Sequence, residues 1–200
     1  MAKGQKERGS WASFWTVIVF VTAIGIWMTI SPKYLLATIS AERSFVAQLS
    51  GEQADMWVFS KTLSVSVDQI RDVSTAIKGT TTTPDAMKGW LQDRIMATWL
   101  WGALIVCRAN LLLLFWFILM PLTMAIAADG YSTRMIRTHR FSAQSPIRHR
   151  FGVLVGTAVM FGVAFWIVVP VAVPSIVAPA AIALVGMAIW LWVSNLQKRI

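Results

Sequence analysis

Cysteine is almost missing from these 200 residues. Cys107 stands alone, which excludes an internal disulfide, and no Cys/His cluster has metal-ligand spacing, so covalent staples and a structural zinc site are both excluded from the expectation. Charge is scarce as well: 14% of residues are charged against 56% hydrophobic, too little polar surface for a soluble domain. Carboxylates are the rarest, and none falls in the long apolar runs, which removes the usual residues of proton relays and cation transport. Catalytic signatures are missing too. There is no Gly-x-Ser-x-Gly elbow, Ser-x-x-Lys or His-Glu-x-x-His, and His139 and His149 have no third ligand nearby. The expectation is a protein with no catalytic residues, no cofactor and no metal.

What the chain has is apolar runs and tryptophan. Eleven Trp residues mark depth, because indole gathers where hydrocarbon meets water. The run 11–30 has twenty residues, enough to span about 30 Å of hydrocarbon and too long for a signal-peptide core, so it is expected to be an uncleaved anchor. Further runs occupy 99–127, 153–173 and 176–193. These predict an all-α integral membrane protein with four transmembrane helices and a helical external (periplasmic) segment, 31–98, between the first and second. Lysine and arginine set its orientation. The tail 1–10 (Lys3, Lys6, Arg8), the loop 128–152 (Arg134, Arg137, Arg140, Arg148, Arg150) and the tail 194–200 (Lys198, Arg199) carry ten basic residues against Glu7 and Asp129. Segment 31–95 balances seven basic with seven acidic residues. The positive-inside rule therefore expects both termini and the basic loop in the cytoplasm of a bacterial inner-membrane protein.

Met56, Phe59, Leu63, Val67, Ile70, Val73 and Ile77 recur at helical spacing in the external segment, with Gly79 as a stop; this outweighs the short alternation "LSVSV" at 63–67. Thr83 as N-cap with Pro84 at the first helical position starts a new helix, and no stop follows before Pro121. From Trp99 to Ala127 such a helix is about 44 Å long, more than the hydrocarbon needs. Counted from Arg108, the run to Ala127 spans the core and leaves the guanidinium at the outer headgroups, as a snorkelling cation or a partner for Asn110. Residues 91–107 are then expected to project as a stem that packs on the external helices or another subunit.

Gly152 and Gly156 in "GVLVG", with Gly162 further on, place small residues for close helix packing in lipid. Pro170, Pro174 and Pro179 fit a short hairpin between antiparallel helices. In "DGYSTRMIRTHRFSAQSPIRHR" (129–150), Gly130 suits a helix end and tight turn, and Asp129 can accept from the following backbone, so the pair is expected to shape the loop. The loop's arginines rank first as topological charge and headgroup contacts with membrane lipids, second as a protein-docking site. Direct nucleic-acid contact ranks last, because Tyr131 and Phe141 are the only aromatics of 129–150.

Arg108, Pro121, Asp129, Gly130, Arg134, Arg137, Ser145 and His149 carry a resemblance. The region 105–200 is similar to a family of four-span membrane proteins, bearing a domain of unknown function, encoded with the conjugation genes of integrating conjugative elements and related plasmids. Gln144-Ser145 and Arg148-His149 stand where the family often has Glu-Ser and Tyr-His, and the external segment finds no counterpart. The resemblance implies an inner-membrane accessory protein of a conjugative type IV secretion system. The expected partners are further copies of itself in a homo-oligomer and the coupling ATPase or other inner-membrane subunits of that system. Alternatives are a small oligomeric pore or lipid-binding protein lined near Arg108, and a regulatory or exclusion protein acting in the recipient cell.

Overall fold

The computed structural model describes residues 3–78, 84–140 and 145–196. All regular elements among them are helical: α1 (Lys3–Thr29), α2 (Pro32–Ser50), α3 (Glu52–Asp55), a π-helical turn (Met56–Ser60), α4 (Lys61–Lys78), α5 (Asp85–His139), α6 (Pro146–Val168) and α7 (Val177–Ser194). The expected stop at Gly79, the cap at Thr83, and Gln144, Lys198 and Arg199 lie outside the described residues. The chain divides into two compact units, one of Met1–Ala37 with Ser64–Gly102 and one of Thr38–Leu63 with Ala103–Ile200.

In the first unit, α1 ends where Pro32 follows, since the residue before a proline is pushed out of the α region. Its terminal carbonyls find a donor on α5. Arg94 donates from Nη1 to the Trp27 carbonyl at 2.6 Å and from Nη2 to the Ile30 carbonyl at 2.9 Å. Trp27 Nε1 donates to Thr98 Oγ1 at 2.9 Å, and that hydroxyl donates to the Arg94 carbonyl. Ile30, Leu35, Ala97 and Leu100 are buried in this unit.

In the second unit, α2 stops at Gly51, whose φ of 84° is the left-handed conformation that glycine adopts without a Cβ penalty. A fork between Arg43 and Asp55 (Nε to Oδ1 3.1 Å, Nη2 to Oδ2 2.6 Å) pins the chain after this turn to α2. The π-turn buries Val58 and Phe59. Of the expected apolar stripe Phe59 is buried and Leu63, Ile70 and Val73 are half-buried, whereas Met56 and Val67 are exposed and Ser66, in the first unit, is buried next to Val67. The alternating "LSVSV" is helical, within α4.

α5 is 55 residues long, about 83 Å, and passes through Pro121 and past Ala127, where the expected span ended. It also passes through Asp129 and Gly130, so the predicted turn there is absent and the first half of the basic loop 128–152 is helix. The physical reason is packing. An added Cβ at Gly130 would lie 3.2 Å from Trp190 Cδ1 on α7 and 3.4 Å from its backbone, and Asp129 accepts the Trp190 indole N–H at 2.8 Å. Further along, Arg137 donates to Asn195 Oδ1 at 3.3 Å and the Ser194 carbonyl at 3.5 Å. Gly186 faces Thr123 and Ile126, so α5 and α7 run parallel. α6 runs antiparallel to α7, with Gly152 against Leu191 and Trp192 and Gly156 against Ala188. Gly162 departs from the expected packing stripe, because a Cβ there would meet nothing within 4 Å.

Among the described residues, the stretches Met87–His139, Pro146–Val168 and Val177–Ser194 are long and apolar enough to cross a membrane. A fourth span arises only if Val17–Thr29 and Pro32–Ser50, which meet at a 98° bend, count as one. The stem finds cover within its own chain, Ala103, Leu104 and Cys107 being buried, while Val106 is exposed.

Three glycine substitutions should separate packing from mere smallness. Gly152→Ala places a Cβ 2.9 Å from the Trp192 backbone nitrogen and should cost about 1–3 kcal/mol. Gly156→Ala, with only ordinary contact to Ala188, and Gly162→Ala, in open space, should melt at or above the wild-type temperature in detergent.

Candidate functional site: a buried arginine clasp

Four segments of the second unit meet at Arg108: α5 itself, α2 through Glu42, the C-terminal turn of α6, and the connection 169–176. Arg108 is 1% exposed and Glu42 5%. Arg108 is therefore neither a solvent-reaching cation nor a partner for Asn110: it is enclosed, and its carboxylate comes from outside the apolar runs. Glu42 reaches it from the segment assigned to the exterior, because α2 turns an apolar stripe inward. Ile39 and Val46, on either side of Glu42 at helical spacing, are buried with it.

The guanidinium is used to completion. Nε donates to both Glu42 oxygens, at 3.1 and 3.2 Å. Nη2 donates to Glu42 Oε1 at 2.5 Å and the Val171 carbonyl at 2.6 Å. Nη1 donates to the Trp166 carbonyl, to that of Val169 at 2.5 Å and more weakly to that of Ile167 at 3.4 Å. Trp166 and Ile167 belong to the last turn of α6, whose carbonyls have no donor inside the helix, so Arg108 acts as a C-cap delivered from another helix. Glu42 Oε1 also accepts the Val173 amide at 3.3 Å, and Ser175 Oγ donates to the Phe45 carbonyl at 2.9 Å. The Trp166 ring lies 5.8 Å from the guanidinium carbon, within cation–π range.

This arrangement positions rather than reacts. All five N–H donors of Arg108 point at carboxylate or carbonyl oxygens, which leaves none for a phosphate or substrate anion. Glu42 is held as the counter-ion and accepts a backbone amide besides. No group of three His, Cys, Asp or Glu side chains among the described residues could hold a metal ion.

The other expected site residues gather at the opposite end of α6 and α7. Asp129 and Gly130 hold Trp190, and Arg137 holds the end of α7, where Asn195 Nδ2 donates to the Leu191 carbonyl at 2.9 Å. Arg134 is half-buried, whereas Arg140, Arg148 and Arg150 are exposed. Ser145 caps α6, accepting the Arg148 amide at 3.5 Å, with Pro146 at the first helical position. His149 is half-buried and its Nδ1 has no partner among the described residues. Glu42, Arg94, Trp190 and Asn195 were missed by sequence reading. Only Glu42 leaves a signal, a carboxylate inside the apolar stripe Leu35, Ile39, Val46.

An all-helical chain with three or four apolar helices of spanning length is compatible with a membrane protein. The chain belongs to the DtrJ-like family: the family model described as IncC plasmid conjugative DNA transfer protein DtrJ-like matches residues 38–197. The likeness to proteins of conjugative elements is thus confirmed, and it reaches past residue 105 into the segment that had found no counterpart, Glu42 included. Searches of curated proteins and of solved structures find no match.

Breaking one side of a buried ion pair costs about 3–5 kcal/mol. Glu42→Ala should lose about that much in a detergent unfolding titration, and Arg108→Ala more, because it also strips the carbonyls of Trp166, Val169 and Val171. The exchanged pair Glu42→Arg with Arg108→Glu should fail to recover stability, since a carboxylate cannot donate to those carbonyls. Recovery would show that charge pairing alone holds the site.

Proposed function

We propose that the protein is a non-enzymatic, inner-membrane accessory subunit of a conjugative type IV secretion system, which self-associates and docks the coupling ATPase during DNA transfer. Membership of a conjugative DNA transfer family supports a role in conjugation. The observation that carries the finer reading is the helical continuation of α5 beyond its apolar run, which holds Arg134 and Arg137 on a rigid rod and Arg140 just past its end. A preorganised basic array loses less entropy on docking than a loose loop. Arg137 is partly used within the chain, tied to Asn195, so Arg134 and Arg140 are the residues offered to a partner.

In this reading the arginine-bearing ends of α5 and α6 and both chain termini face the cytoplasm, where the ATPase works, and the segment 31–98 is periplasmic. Self-association is assigned to the exposed face of α5 at Val106, since the inner face of the stem is already covered. The recipient-cell and pore readings draw no support from a particular contact. Arg108, the candidate pore charge, is buried and paired.

The double variant Arg134→Glu, Arg140→Glu should insert and melt as wild type, lose co-purification with the coupling ATPase, and lower DNA transfer from donor cells by at least about tenfold. Normal transfer by the correctly inserted double variant would remove the docking role.

A further inference from the structure

Between α6 and α7 lies an open apolar groove of about 530 Å³, lined by Gly156, Thr157, Met160 and Ala164 on one side and Val185 and Ile189 on the other. It exists because Gly152 and Gly156 let the helices close at one end while leaving no side chain to fill the space. No charged side chain lines it. Trp192 stands at its mouth beside Gly152, at the end where α6 begins. One turn before Gly152, on the same face, is Arg148, and Arg150 leaves the other side of α6, so the two flank this end of the helix with their side chains tilted toward its N-terminus; both are exposed, and the first turn of α6 holds no acid. The N-terminus of α6 adds its own positive pole. Next to these cations the buried His149 Nδ1 has no partner among the described residues.

We infer that this groove binds one acyl chain of an anionic phospholipid, whose phosphate is held by Arg148 and Arg150. Length selects this occupant. From Gly152 to Ala164 the lining covers about 18 Å of helix, close to the ~15 Å of one leaflet and about half of what a partner helix crossing the whole hydrocarbon would use. Charge selects it too, because the cations stand one turn beyond the apolar lining, at headgroup depth, with a tryptophan between. The site uses arginines that the ATPase docking does not, so each can fail without the other.

Native mass spectrometry of the full-length protein from mild detergent, with phosphatidylglycerol or phosphatidylcholine of identical chains, tests the inference. Wild type should retain phosphatidylglycerol about tenfold better. Arg148→Gln with Arg150→Gln should bring it down to the phosphatidylcholine level, while the two lysine substitutions keep the preference. Thr157→Trp, at an exposed groove position, should displace both lipids, with melting curves confirming that each variant is folded. Equal retention of the two lipids by wild type overturns the assignment without reference to any variant. So does competition by glycerophosphoglycerol, which has the headgroup and no chains and would show a phosphate patch alone. A lipid-free dimer that Thr157→Trp converts to monomer would instead give the groove to a second copy.

Discussion

A guanidinium placed among apolar helices must have every donor satisfied, and that constraint organises the second unit. Arg108 meets it by drawing in Glu42 from α2, the last carbonyls of α6 and the carbonyls of Val169 and Val171 in the connection that follows. Each group solves a problem of another. The end of α6 needs donors, the connection lacks amide donors at Pro170 and Pro174, and Glu42 needs a cation to stay buried. Arg94 repeats the device in the first unit, where it caps α1. Arginine suits both positions because its planar fork reaches several acceptors at fixed angles, which an ammonium cannot.

At the other end of the α5, α6 and α7 packing, contacts hold the helices together without using most of the surface charge. Asp129 is occupied by Trp190, Gly130 and Gly152 permit close approach, and Arg137 ties down the end of α7. What remains outward is Arg140, Arg148 and Arg150, with Arg134 half-covered. The result is a firm scaffold with cations on its rim, in a chain of a conjugative DNA transfer family.

Local features were legible in the sequence and distant partners were not. Spanning helices and an antiparallel pair around the prolines follow from patterns within a few residues, whereas the Ser145–Pro146 start of α6 lies inside the stretch expected to be loop. Asp129-Gly130 misled because the same dipeptide suits a turn or a tight helix crossing, and what decides between them is Trp190, far along the chain. Glu42 was read as one acid in a charge-balanced segment. Its role depends on Arg108, and only its place on the apolar stripe of α2 hinted at burial. Along α4 the buried position is Ser66 and not its neighbour Val67, and hydrophobicity alone points to the wrong one of the two.

Arg108 and Glu42 together hold the connection between α6 and α7 in place. Amide hydrogen exchange of the full-length protein in lipid nanodiscs reads this directly. The amides of 171–177, Val173 above all, should be protected in wild type and lose that protection in Glu42→Gln, while the centres of α5 and α7 stay protected. Free exchange of these amides already in wild type, or protection unchanged by the substitution, would contradict the account.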